Sequence, residues 1–238
     1  MRDAGGDSQK PAQHYRTVFI AERGAIMQGL NSQMEEKVIV FLGSSVTYGE
    51  CSGGVSFADL MEMRGCCRAI KEAVSGTTLV DAGPDSYVSR LKRLSVPRTD
   101  LLICQLSTND ATQRKPLGAP GNRDTATVAG AIEEIIAIAR ARWRCPILFY
   151  TNPRYDSPAY GEMVRLLKEL QAKWGFVILD LWNDAAFNDL SPEQRARYMA
   201  DAIHPTRAGY EEWWLPKFMA AVAAVPRTIA AAPDHLRH

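Results

Sequence analysis

The chain has 238 residues, enough for one sizeable α/β domain with a complete core and too few for a second full domain. Its 28 Lys plus Arg nearly balance 27 Asp plus Glu, so no global field would draw it to nucleic acid or to an anionic membrane. Five cysteines (Cys51, Cys66, Cys67, Cys104 and Cys145) form no CxxC pair and no His-Cys ligand spacing, which argues against zinc or thioredoxin-like chemistry and for reduced thiols.

Residues 1–36 stand outside the pattern of the rest. Their beginning is polar, and Tyr15 to Gln33 mix apolar and polar residues, as a helix or extended arm would. This extension is a candidate for covering a sheet edge or bridging subunits in a homo-oligomer. It holds no secretory h-region, and no apolar run approaches the roughly 20 residues that span a bilayer, so a cytoplasmic chain without membrane insertion is expected. Short apolar runs then predict strands at Val38 to Leu42, Thr77 to Asp81, Leu101 to Leu106, Ile147 to Thr151 and Phe176 to Asp180. Between them, Val128, Ile132, Ile135, Ile136 and Ala139 recur at helical spacing, as do Met163, Leu166, Leu167, Leu170 and Trp174. The basic cluster Arg90-Leu91-Lys92-Arg93 reads as a solvated helix face, and the loop from Ala111 to Asn122 as a wall or lid. Thr206 reads as the N-cap of a final helix that gives way to a tail at residues 226–238. Strands apolar on both faces and separated by amphipathic helices predict a three-layer α/β/α sandwich, with five parallel strands, over residues 37–225.

Of four histidines, His14, His235 and His238 lie in polar terminal segments. His204 alone has neighbours suited to chemistry, in the run Asp201-Ala202-Ile203-His204-Pro205. A carboxylate three positions ahead of an imidazole can hold one ring nitrogen and leave the other free as a base. The first strand breaks into Gly43-Ser44-Ser45, which offers a serine on a tight turn as nucleophile. Open parallel sheets bind ligands where strand-end loops converge. The other two suggestive strand ends are Asp81-Ala82-Gly83 and Ser107-Thr108-Asn109-Asp110. Acyl transfer needs a nucleophile, a base, a group to orient the base and donors for the oxyanion. Ser45, His204 and Asp201 fit the first three roles; the amides of Ser45 and Gly83 with the Asn109 side chain fit the fourth. Each residue also has a plainer reading, Ser45 as a helix cap and Gly83 and Asn109 as turn formers.

In these four blocks the sequence resembles the SGNH/GDSL hydrolase superfamily, whose name-giving Ser, Gly, Asn and His fall on Ser45, Gly83, Asn109 and His204. The resemblance runs from about Val38 to Trp214. It implies a flavodoxin-like α/β/α fold and hydrolysis of carboxylic esters through an acyl-serine, with no metal and no cofactor. The family's Gly-Asp-Ser is Gly43-Ser44-Ser45 here, and alignment of Thr47 and Gly49 favours Ser45 over Ser44. Tyr48, Tyr87, Arg154 and Tyr155 are candidates for lining the substrate pocket. The expected substrate is a small-molecule ester with a short acyl group, such as an acetylated carbohydrate. A thioesterase or lysophospholipase-like activity and a non-catalytic glycan-binding module on the same fold are the alternatives.

Overall fold

The computed structural model describes residues 37–226. The expected N-terminal arm, the tail, and His14, His235 and His238 lie outside the described residues. Five strands form one sheet: β1 (Val38–Gly43), β2 (Arg68–Ala73), β3 (Leu101–Gln105), β4 (Ile147–Tyr150) and β5 (Val177–Leu179). Their order is β2-β1-β3-β4-β5, and every pairing is parallel. The chain steps outward from β1 to β2 and then crosses back to β3. The exits of β1 and β3 therefore diverge at a switch point, the place where doubly wound sheets bind ligands.

The helices are α1 (Ser45–Tyr48), α2 (Phe57–Met63), α3 (Tyr87–Arg93), α4 (Thr108–Thr112), α5 (Val128–Arg142), α6 (Pro158–Trp174), α7 (Ala185–Asn188), α8 (Pro192–Tyr198) and α9 (Leu215–Ala224). Alternate strand residues feed two cores. Val40, Leu42, Leu102, Cys104 and Phe149 pack under the apolar stripes of α3, α5 and α6. Ile39, Phe41, Leu101, Ile103, Leu148 and Tyr150 pack under α2 and α9, where Phe57 stacks on Phe218 with ring centroids 3.7 Å apart. The stripes read at helical spacing are buried, Trp174 partly so. Thr206 Oγ1 accepts from the Gly209 amide at the start of the helical segment Gly209–Trp214 that leads into α9, the capping place expected for it.

One strand is not where the sequence placed it. Thr77 to Asp81 is a loop, and the second strand is Arg68–Ala73. As an edge strand β2 pairs only with β1, so it needs no continuous apolar run, and its charges blunt the open edge. Leu79 and Val80 are apolar because they are buried, not because they are paired. Their amides donate to the two carboxylate oxygens of Asp110, at 2.7 and 3.1 Å, in place of a neighbouring strand. Asp110→Ala is therefore expected to lower the unfolding free energy by about 2–6 kcal/mol, since two buried amides lose their acceptor at roughly 1–3 kcal/mol each. Urea unfolding measures this, and an unchanged midpoint would refute it.

The loop expected as a wall or lid is fastened. Pro116 and Leu117 carbonyls accept from the Val128 and Ala129 amides at the start of α5. The Gly121 amide donates to Glu133, a fully buried carboxylate also held by Lys173 and the Trp174 indole. The segment is thus built as a fixed wall.

Candidate active site

The turn after β1 is steric in origin. A Cβ on Gly43 would stand 1.7 Å from Thr47 Oγ1, so only glycine lets α1 fold back onto the strand end. Gly49 closes α1 at φ 92°, a conformation that glycine adopts without strain. Between them, Ser44 turns inward and Ser45 outward. The Ser44 amide and hydroxyl both donate to Gln105 Oε1, at 2.9 and 3.3 Å, and its side chain is fully buried. Thr47 donates to the same oxygen and shares a 2.7 Å hydrogen bond with Tyr150.

Ser45 Oγ lies 2.8 Å from His204 Nε2, and His204 Nδ1 lies 2.7 Å from Asp201 Oδ2. Ser45 is 6% exposed, so its hydroxyl sits at the floor of the site rather than on an open surface. The loop that carries the imidazole is stapled at several points. Met199 and Pro205 form an antiparallel bridge, the Ala200 amide donates to the His204 carbonyl, and Asn152 Nδ2 donates to the Ile203 carbonyl. Asp201 Oδ1 also accepts from the Ile203 and His204 amides, each at 2.7 Å. Burial pushes the Asp201 carboxyl up, but its bonds from the His204 ring and these two amides outweigh that and hold it below the ordinary value. It is therefore an anion at neutral pH, a fit partner for an imidazole that gains a proton. Tyr210 joins the two halves of the site by donating to the Val46 carbonyl of α1 at 2.7 Å.

Asn109 stands at the start of α4, beyond β3. Its Nδ2 donates to the Thr77 carbonyl at 2.9 Å, which leaves a second amide hydrogen free for a ligand. Gly83 does not take the place expected for it. It lies on an exposed loop ahead of α3, because the strand thought to end beside it is absent. The glycine at the exit of the true β2 is Gly76. The segment that carries it is tied on one side by the Val74 amide to the Gly43 carbonyl and on the other by the Thr77 carbonyl to Asn109.

Arg90 corrects the reading of its cluster as a solvated face. Only 3% exposed, it donates to the carbonyls of Gly43, Glu72 and Asp85 and to Thr77 Oγ1, bracing the ends of β1 and β2 and the Gly76 segment together. Tyr87 is another correction. It is fully buried in the core under α3, because position one of that helix faces the sheet, and it cannot line a pocket. Tyr48 is exposed at the end of α1, beside the Lys71 ammonium. Arg154 and Tyr155 line a cavity of about 510 Å³ with Trp182, and neither Ser45 nor His204 borders it. Gln105, Arg90 and Gly76 were missed from sequence. Gln105 did carry a signal, as the one polar residue inside the apolar run Leu101 to Leu106.

Cys51 sits in the short turn Glu50–Ser52, with Asp201 and His204 beside it. Burial, Asp201 and Glu50 all push its thiol up, so it is not a thiolate at neutral pH.

A sheet of this order with a serine, an imidazole and a carboxylate in series at its switch point defines a class of α/β hydrolytic folds. The profile of the GDSL-like lipase/acylhydrolase family matches residues 41–212, and the chain belongs to that family. No curated sequence matches it significantly. Among solved structures it is similar to a protein from Lactobacillus plantarum, with a TM-score of 0.67 and 23% identity over 78% of this chain and 95% of that one. It is also similar to a provisionally assigned GDSL-like lipase from Bacteroides ovatus, with a TM-score of 0.60 and 16% identity over 80% and 99% of the two chains. A third is a family two carbohydrate esterase from Clostridium thermocellum, with a TM-score of 0.54 and 14% identity over 79% and 63%. At these identities the likeness speaks for the fold. Among the described residues, no helix is long and apolar enough to cross a membrane.

Proposed function

We propose that the chain is a serine esterase that cleaves short acyl esters through an acyl-serine. The observation that carries this reading is the unbroken series from Ser45 Oγ to His204 Nε2 and from His204 Nδ1 to Asp201. Ser45 Oγ attacks the ester carbonyl and gives its proton to Nε2; the tetrahedral adduct collapses as the imidazolium protonates the leaving alcohol. A water activated by the same nitrogen then frees the acid. The oxyanion is received by the amides of Ser45 and Gly76 and by the free hydrogen of Asn109 Nδ2. Gly76 is preferred to Gly83 in this reading because it follows the end of β2. The chemistry as written needs no cofactor.

The preference for a small substrate is supported by the 111–122 segment, whose hydrogen bonds to α5 leave it unsuited to opening over a long acyl chain. An acetylated carbohydrate is the favoured form of the substrate. A binding-only module would have no physical need for a base positioned on a serine. Asn109→Ala is expected to lower kcat by about 10²–10³, because one transition-state donor is lost, and its urea midpoint only slightly, through the lost bond to Thr77. Rates across p-nitrophenyl esters from acetyl to palmitoyl, in both proteins, test the reading. Wild-type turnover in folded Asn109→Ala would remove that residue from the mechanism, and a maximum at palmitoyl would reverse the substrate assignment.

A further inference from the structure

We propose that Cys51, Asp201 and His204 form a site for a thiophilic divalent cation of the Zn²⁺ type, and that its occupancy switches hydrolysis off. One ligand atom from each residue lies within 4.8 Å of the other two. A tetrahedral Zn²⁺ with one sulfur, one nitrogen and one oxygen ligand sets its donors roughly 3.3–3.6 Å apart, so closure needs contractions of up to about 1.5 Å. The site can supply it. Cys51 is exposed on a short turn, and Asp201 is about half exposed. The donor set is the soft sulfur, imidazole and carboxylate mixture that suits Zn²⁺, with water completing the fourth position; it is a poor match for Mg²⁺, which takes oxygen ligands.

Inhibition follows from which bonds the ion must break, and this part rests on the serine-esterase reading. Both ring nitrogens of His204 are engaged, Nδ1 with Asp201 and Nε2 with Ser45. A metal on Nδ1 removes the carboxylate that orients the ring. A metal on Nε2 removes the acceptor of the serine proton. Coordination also exchanges the thiol proton of Cys51 for the metal, releasing it to solvent. Cys51 is not needed for acyl transfer, so it adds metal sensitivity to a site that otherwise lacks a thiolate. Sequence spacing hid the trio because its members come from opposite ends of the domain.

The test uses the full chain and two readouts. Co²⁺ titration is followed by thiolate-to-cobalt charge-transfer absorption, with displacement by Zn²⁺. Labelling of Ser45 by a fluorophosphonate is followed over a Zn²⁺ series, with Mg²⁺ as control. The expected result is a charge-transfer band in the wild type that is absent in Cys51→Ser, with Zn²⁺ blocking labelling and Mg²⁺ not doing so. In Cys51→Ser, half-inhibition by Zn²⁺ should move up by at least the roughly 10–100-fold that even an outer-shell loss costs a metal site. Because Cys51 is exposed and the other four cysteines are buried, this variant should melt with the wild type. The absence of the band, its persistence in Cys51→Ser, or equal Zn²⁺ inhibition of both proteins would overturn the site. If the band obeys the proposal while neither protein reacts with phosphonate, the metal site stands and the esterase reading fails.

Discussion

Ser45→Ala is expected to reduce kcat by about 10⁴–10⁶ and to abolish fluorophosphonate labelling, while Ser44→Ala keeps a measurable part of both. The two serines are adjacent in sequence and opposite in orientation. Ser45 Oγ meets the imidazole at 2.8 Å, whereas Ser44 is sealed against Gln105. Ser44→Ala removes one of three donors to Gln105 Oε1 and leaves the Ser44 amide and Thr47 in place. Its cost is a slight loosening of the turn. Peptide mapping of the phosphonate adduct checks the assignment, and an adduct on Ser44 would overturn it.

Asp201→Asn is expected to lower kcat by about 10³–10⁴ with little change in stability. The amide is nearly the same shape as the carboxylate, and its oxygen can go on accepting from the Ile203 and His204 amides. Its nitrogen, however, then faces His204 Nδ1 and donates where the carboxylate accepted. The ring is driven to the tautomer that carries its proton on Nε2, where it cannot take the serine proton. Nitrogen-15 NMR of the imidazole reads the tautomer directly. An active Asp201→Asn enzyme with the unchanged tautomer would show that the carboxylate is dispensable.

Much of the fold was legible in the sequence where burial leaves one reading. β1, β3 and β4 are covered on both faces and read as continuous apolar runs, and α5 and α6 each bury a single stripe. β2 was not legible, because an edge strand can alternate Arg68, Lys71 and Glu72 with small residues and still pair. That one error placed Gly83 at a strand end, where the glycine after β2 is Gly76. The Ser45, Asp201 and His204 candidates survived because their meeting depends on β1 and on the loop after α8, not on where β2 runs. Arg90 and Tyr87 failed for a different reason. Composition cannot tell an outward arginine from a buried one that finds four acceptors, or an exposed tyrosine from one whose ring fills a core.

The 159 positions between Ser45 and His204 have a kinetic consequence. Contacts so distant along the chain are made only after the intervening loop entropy has been spent, so Ser45 and His204 meet late in folding. Reactivity is then a property of the completed topology and not of any fragment. A nascent chain that has emerged only as far as α8 carries its serine without the imidazole that would make it reactive. The Ser45–His204 pair is thereby withheld until the sheet and the loop after α8 are in place.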